Sequence, residues 1–98
     1  MKRFVLTSPA AGDLREIKDY LVARAGTAMA RRVFREVRAA MDLIGTRPDI
    51  GHARHDLTDK PLKFWPVYSY LIVYDPTARP VVITRVLHAS RDVETILG

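Results

Sequence analysis

The sequence predicts an α+β fold in which a two-helix hairpin packs on a mostly antiparallel sheet. Two consecutive segments in the first half repeat apolar residues at helical spacing and are joined by a link of a few residues around Gly26. The second half changes to apolar runs rich in Val, Ile and Tyr, and short turn signals join those runs, which makes neighbouring strands antiparallel. Helices grouped apart from strands are the pattern of α+β rather than of alternating α/β proteins. At 98 residues the chain suffices for one module with a modest core, so residues 1–98 are read as a single domain.

The elements follow in order. Lys2–Thr7 alternates as a short first strand, with Phe4 and Leu6 on one side. Ser8 is placed to N-cap a helix and Pro9 suits its first position, where a missing N–H costs nothing. Ala10, Leu14, Ile17 and Leu21 form its apolar stripe as far as about Arg24, with Asp13, Glu16 and Lys18 assigned off the stripe, and Gly26 is the stop. Thr27 is a candidate cap for a second helix carrying Ala30, Val33, Phe34, Val37, Met41 and Ile44, closed by Gly45 and Pro48. The short link folds these helices back on each other.

Arg47–Pro61 is a loop by composition, with two prolines, a glycine and three aspartates. Leu62–Tyr68 and Ser69–Asp75 read as two strands turning near Pro66–Ser69, and Val81–His88 as a third after the turn signal Asp75–Pro80. Ser90 is a possible cap for a final short helix over Arg91–Leu97.

Composition bounds the chemistry. There is no cysteine, which removes disulfides, thiolate metal sites and cysteine nucleophiles. His52 and His55 with Asp56 have metal-like spacing, but Gly51 and its turn-forming neighbours argue against the helix such spacing needs, so neither a metal nor a cofactor is expected. The opening MKRFVLTSPAAG imitates a secretory signal, yet Phe4–Leu6 is far short of the ~7–15 apolar residues required, and no segment approaches the length of a membrane span. A cytoplasmic protein without membrane contact is the expectation. The formal charge of +5 sits wholly in residues 1–47, which hold ten Lys/Arg against five Asp/Glu. Arg31, Arg35 and Arg38 line one side of the second helix, either as a solvated face or as a binding face for an acidic partner or nucleic acid.

The run Val81–Asp92 carries the most informative residues, an arginine inside an apolar strand and a histidine at its end. Strict alternation puts Val81, Ile83, Arg85 and Leu87 on one face and Val82, Thr84, Val86 and His88 on the other. An unpaired guanidinium does not belong under the helices, so Arg85 is expected on the sheet face away from them, either paired with Asp75 or Asp92 or set in an apolar docking surface. His88 is either a hydrogen-bonded strand-end residue or a general acid or base. Tyr68, Tyr70 and Tyr74 share a parity, with Trp65, Lys63 and Arg85 nearby; they are core packing or a platform for stacking bases and binding phosphates.

Leu6–Ala11 with Asp13, Leu14 and Ile17, then Arg47–Gly51, Tyr70–Tyr74 and Arg85–His88 with Arg91 and Asp92, occur in an order that resembles the RelE/ParE superfamily of type II toxin–antitoxin toxins. The likeness runs from Phe4 to Leu97 and leans to the ParE-like branch. It implies a growth-inhibiting α+β toxin of the plasmid-stabilisation type, bound and silenced by a cognate antitoxin. ParE-like members inhibit DNA gyrase without being nucleases. RelE-like members act on the ribosome and cut mRNA, and under that alternative Arg85 would hold phosphate charge and His88 would move protons. The binding residues expected from sequence and resemblance together are Arg31, Arg35, Arg38, Lys63, Tyr70, Arg85 and Arg91. RelE-like nucleases commonly carry a tyrosine or further basic residues near the end of the last strand; here Ala89 and Ser90 follow His88, so the catalytic set is incomplete.

Overall fold

The computed structural model describes residues 3–90 and 92–97. Seven elements follow in the order β1 (Phe4–Leu6), α1 (Ser8–Ala25), α2 (Thr27–Thr46), β2 (Lys63–Val67), β3 (Tyr70–Asp75), β4 (Val81–His88) and α3 (Val93–Leu97). The sheet order is β1-β4-β3-β2. β2, β3 and β4 pair antiparallel, whereas β1 lies parallel to β4 with Phe4 opposite Val81, so the sheet is mixed at one edge.

The caps sit one or two residues away from where the sequence places them. Thr7, not Ser8, caps α1: its hydroxyl accepts from the Ala10 amide at 3.1 Å and donates to the Thr84 carbonyl at 2.7 Å. Pro9 then falls in the first turn, where its ring is tolerated. Gly26, at φ 88, ends α1 and begins α2, a backbone state that glycine adopts without a Cβ penalty. At α3 the Asp92 carboxylate receives the Thr95 hydroxyl at 2.6 Å, so the cap is Asp92 rather than Ser90.

Two apolar clusters sandwich the sheet. On the hairpin side, Val33, Val37, Met41 and Ile44 of α2 pack with Ala10 of α1 and with Ile72, Tyr74, Val81, Ile83 and Val86 of the strands. On the other side Phe64, Leu71, Val73 and Leu87 are closed over by Val93 and Leu97 of α3. β3 is therefore buried along Tyr70–Tyr74, which explains its continuous apolar sequence. The face away from the hairpin, expected to be an open docking surface, is a second core.

Strand alternation is broken inside β4. Val73 stands opposite Arg85 but Tyr74 stands opposite Ile83, which leaves Thr84 as the extra residue of a β-bulge. Beyond the bulge the parity reverses, so Ile83 and Val86 share the hairpin-side core although they are three apart. The loop before β2 is tied down by Tyr74, whose buried hydroxyl donates to the Pro48 carbonyl and accepts from the Gly51 amide, both at 2.8 Å.

Candidate functional site

The bulge turns Arg85 toward α1, the opposite of the sequence expectation. Its guanidinium makes a paired contact with Asp13: Nε donates to one carboxylate oxygen at 2.8 Å and Nη2 to the other at 2.7 Å. The Val86 amide donates to the same carboxylate at 3.0 Å. Asp13 is only 9% exposed, so it is a core carboxylate neutralised by a half-buried arginine. These hydrogen bonds raise the Arg85 pKa further, and the group is a permanent cation. Neither Asp75 nor Asp92, the partners considered from sequence, takes part; Asp75 instead accepts from Thr77.

Asp13, assigned from the sequence to the polar side of α1, is buried instead. Position 13 lies three after Ala10 and four before Ile17, on the apolar stripe rather than off it. A carboxylate at a core position of one helix and an arginine inside an apolar strand are complementary signals, and reading them together would have found the pair.

Beside this pair, a groove of about 510 Å³ opens between α1 and the far end of the sheet. Asp13, Glu16, Ile17 and Tyr20 form its helical wall, and Tyr70, Val86, His88 and Ser90 its strand wall. Tyr70 faces His88 across the β3–β4 ladder with their rings edge to face at 5.4 Å. Burial pushes the Tyr70 hydroxyl pKa up. The Ser90 amide donates to His88 Nδ1 at 3.1 Å, and the Ser90 hydroxyl lies 2.6 Å from the same atom. A backbone N–H can only donate, so Nδ1 is the acceptor and the neutral ring carries its proton on Nε2.

Of the residues singled out from sequence, Tyr70 and His88 meet in the groove and Arg85 lies behind it, bound to Asp13. Lys63 does not join them; its ammonium donates to the Gly51 carbonyl at 3.3 Å. No aromatic platform forms beside it: Tyr70 and Tyr74 are core residues, and Tyr68 stands in the β2–β3 turn at φ 55 with its hydroxyl donating to Glu36. Arg31, Arg35 and Arg38 are exposed along α2, with Arg38 ion-paired to Asp42 at 3.4 Å and stacked over Phe4. Arg91 lies outside the described residues. Among the described residues no cluster of three or more His, Cys, Asp or Glu stands ready for a metal ion, and no helix is long and apolar enough to cross a membrane.

The strand–hairpin–sheet order and the length of chain it occupies match a known family. The model of the ParE toxin of the type II toxin–antitoxin system parDE covers residues 4–93. The chain belongs to the ParE toxin family. A solved structure, the chromosomal ParDE toxin–antitoxin system from P. aeruginosa, superposes with a TM-score of 0.74 at 17% identity over 89% of this chain and 95% of that one. At that identity the likeness is one of fold. No match was found among curated protein sequences. Family membership agrees with the resemblance drawn from the fragments spread between Leu6 and Asp92, and it makes this chain the toxin of a toxin–antitoxin pair.

Proposed function

We propose that residues 1–98 act as one growth-inhibiting toxin domain that works in the cytoplasm by binding DNA gyrase, and that a cognate antitoxin neutralises it by seating a segment in the groove beside Asp13. The observation that carries the choice of binding over cleavage is the Asp13–Arg85 pair. Cutting RNA through its 2′-hydroxyl requires a base for that hydroxyl, a cation for the phosphate charge and an acid for the leaving oxygen. Arg85 is spent on a carboxylate. The lone pair of His88 Nδ1 is spent on the Ser90 amide, and its other nitrogen bears a proton, so the ring offers no base in this state. Glu16 faces the groove with negative charge, which repels a phosphate backbone.

The test is supercoiling of relaxed plasmid by purified gyrase, with the chain added alone and then with its co-expressed antitoxin. Inhibition relieved by the antitoxin is the expected result. A folded, growth-arresting protein that leaves gyrase untouched and produces mRNA fragments with defined ends would replace this reading with the ribosome-dependent endonuclease.

A further inference from the structure

We infer that the groove between α1 and the end of the sheet receives a cationic side chain, arginine or lysine, carried on an apolar stretch of the partner polypeptide. This deepens the proposal above and rests on it, since it assumes that a protein segment docks there.

The first argument is charge. Arg85 is committed to Asp13 and acts on Glu16 only at longer range, which leaves Glu16 as the groove's carboxylate without an ion pair among the described residues. The ion pairs among the described residues are Arg38–Asp42, Arg54–Asp56 and Arg85–Asp13, and none of them uses Glu16. The groove is thus a negative place on a chain whose formal charge is +5. None of its described lining residues is a lysine or arginine, so an acidic or phosphorylated segment meets the Glu16 carboxylate there.

The second argument is the shape of the walls. Tyr20 and Tyr70 present rings to the groove, and Ile17 and Val86 supply aliphatic surface. A long cationic side chain needs both: apolar surface for its methylenes and a carboxylate or ring face for its head. The wall already holds one such group, because the Arg24 guanidinium lies 5.5 Å above the centroid of Tyr20, itself 56% exposed. Among the described residues the Tyr70 hydroxyl makes no hydrogen bond, so it remains available to accept from an incoming N–H. Recognition is therefore divided by charge across the molecule. The exposed arginines of α2 suit acidic residues of a partner, and the groove beside α1 selects a basic one.

The experiment uses three peptides, acetyl-Leu-Arg-Leu-amide, the same peptide with citrulline, and the same peptide with glutamate, titrated into the ¹⁵N-labelled full chain. Binding is read from the amides of Ile17, Tyr20, Tyr70, Val86 and His88. Citrulline keeps the size and planarity of arginine and removes its charge. The expected result is an arginine peptide about fivefold tighter than its citrulline counterpart, the scale of a partly exposed ion pair with a ring contact. Glu16→Gln, whose fold is checked from its own amide spectrum, should abolish that preference. The wild-type comparison of arginine with citrulline stands whatever the variant does. Equal binding of all three peptides at these amides overturns the cation preference while leaving the groove as a docking site. A glutamate peptide that binds best overturns it outright. Absence of shifts with any peptide overturns both this inference and the placement of the antitoxin segment.

Discussion

Asp13 in α1 and Arg85 in β4, 72 positions apart in the sequence, are joined by two parallel hydrogen bonds of 2.7 and 2.8 Å. The pair fastens the hairpin to the bulged stretch of the sheet. Its carboxylate also satisfies the Val86 amide, so one side chain answers for three donors. The bulge makes this possible, since without the extra Thr84 the arginine would point into the opposite core, where no carboxylate waits.

Removing either partner strands the other. Asp13→Ala leaves a half-buried guanidinium and the Val86 amide without their acceptor, and Arg85→Met leaves a core carboxylate short of its counter-ion. Each single change should cost about 2–4 kcal/mol in urea unfolding, the scale of breaking a largely buried charged pair. The double variant should cost less than the two singles added together, because neither charge is then left alone. Additive losses would show that the two residues act independently.

His88 separates binding from cleavage. Its ring touches Tyr70 and is held by Ser90, yet it lies in the groove wall rather than in the core. His88→Ala should stay folded and keep arresting growth. Complete loss of toxicity in a folded variant would return the histidine to a proton-transfer role and count against gyrase inhibition.

The loop before β2 depends on a glycine for lack of space rather than for backbone freedom. A Cβ at Gly51 would stand 2.3 Å from the Tyr74 hydroxyl oxygen, inside any van der Waals limit, and that oxygen belongs to a fully buried ring. Gly51→Ala should therefore destabilise the chain by about 1–3 kcal/mol, the range for overpacking. Tyr74→Phe in the same background should recover part of the loss by removing the clashing atom, at the cost of the Pro48 and Gly51 hydrogen bonds. If Gly51→Ala melts with the parent, the loop has room that its contacts deny.

Much of this architecture could be read from the residues. The helix hairpin was legible because two apolar stripes at helical spacing flank Gly26, and the β3 and β4 spans because their apolar runs end at turn formers. What failed was alternation across β4. A bulge is one extra residue with no composition of its own, and after Thr84 it reverses every assignment of face, which is why Arg85 was placed away from the helices. Asp13 was misjudged for a related reason. A polar residue on an apolar stripe looks like a mistake in the stripe until its partner, 72 positions later, is known. The groove was legible only as Tyr70 and His88, because Glu16 lies off the apolar stripe of the helix and Tyr20 belongs to no pattern in the sequence.

The arginines of α2 give a salt-dependent prediction. Arg31, Arg35 and Arg38 are exposed, and among the described residues Arg38 is the one of the three with an ion pair, to Asp42. If an acidic antitoxin segment is attracted along this face, replacing Arg31 and Arg35 with glutamate should slow association about tenfold or more at low salt, with a smaller effect on dissociation. The difference should shrink as ionic strength approaches about 0.5 M, where screening shortens the reach of surface charge. Unchanged association kinetics at low salt would make the stripe a solvated surface and nothing more.

Alkaline pH tests the burial of the tyrosines. Desolvation by burial raises the hydroxyl pKa of both Tyr70 and Tyr74, and at Tyr74 the Gly51 amide partly offsets that rise. In the unfolded chain a tyrosine ionises near ~10. Where the folded value is higher, the folded state holds its proton after the unfolded state has lost it. The stability tied to these groups is then fully present below the unfolded value and is lost as pH rises through the folded one. Urea midpoints measured from about pH 8 to about pH 11 should fall at the alkaline end, and Tyr70→Phe, which keeps the ring and removes the titrating oxygen, should flatten that fall. Tyr74→Phe should flatten it too, from a lower starting stability, because it also releases the Pro48 carbonyl and the Gly51 amide. An alkaline limb of the same steepness in both variants would mean that other groups control it and that the two hydroxyls ionise as they do in water.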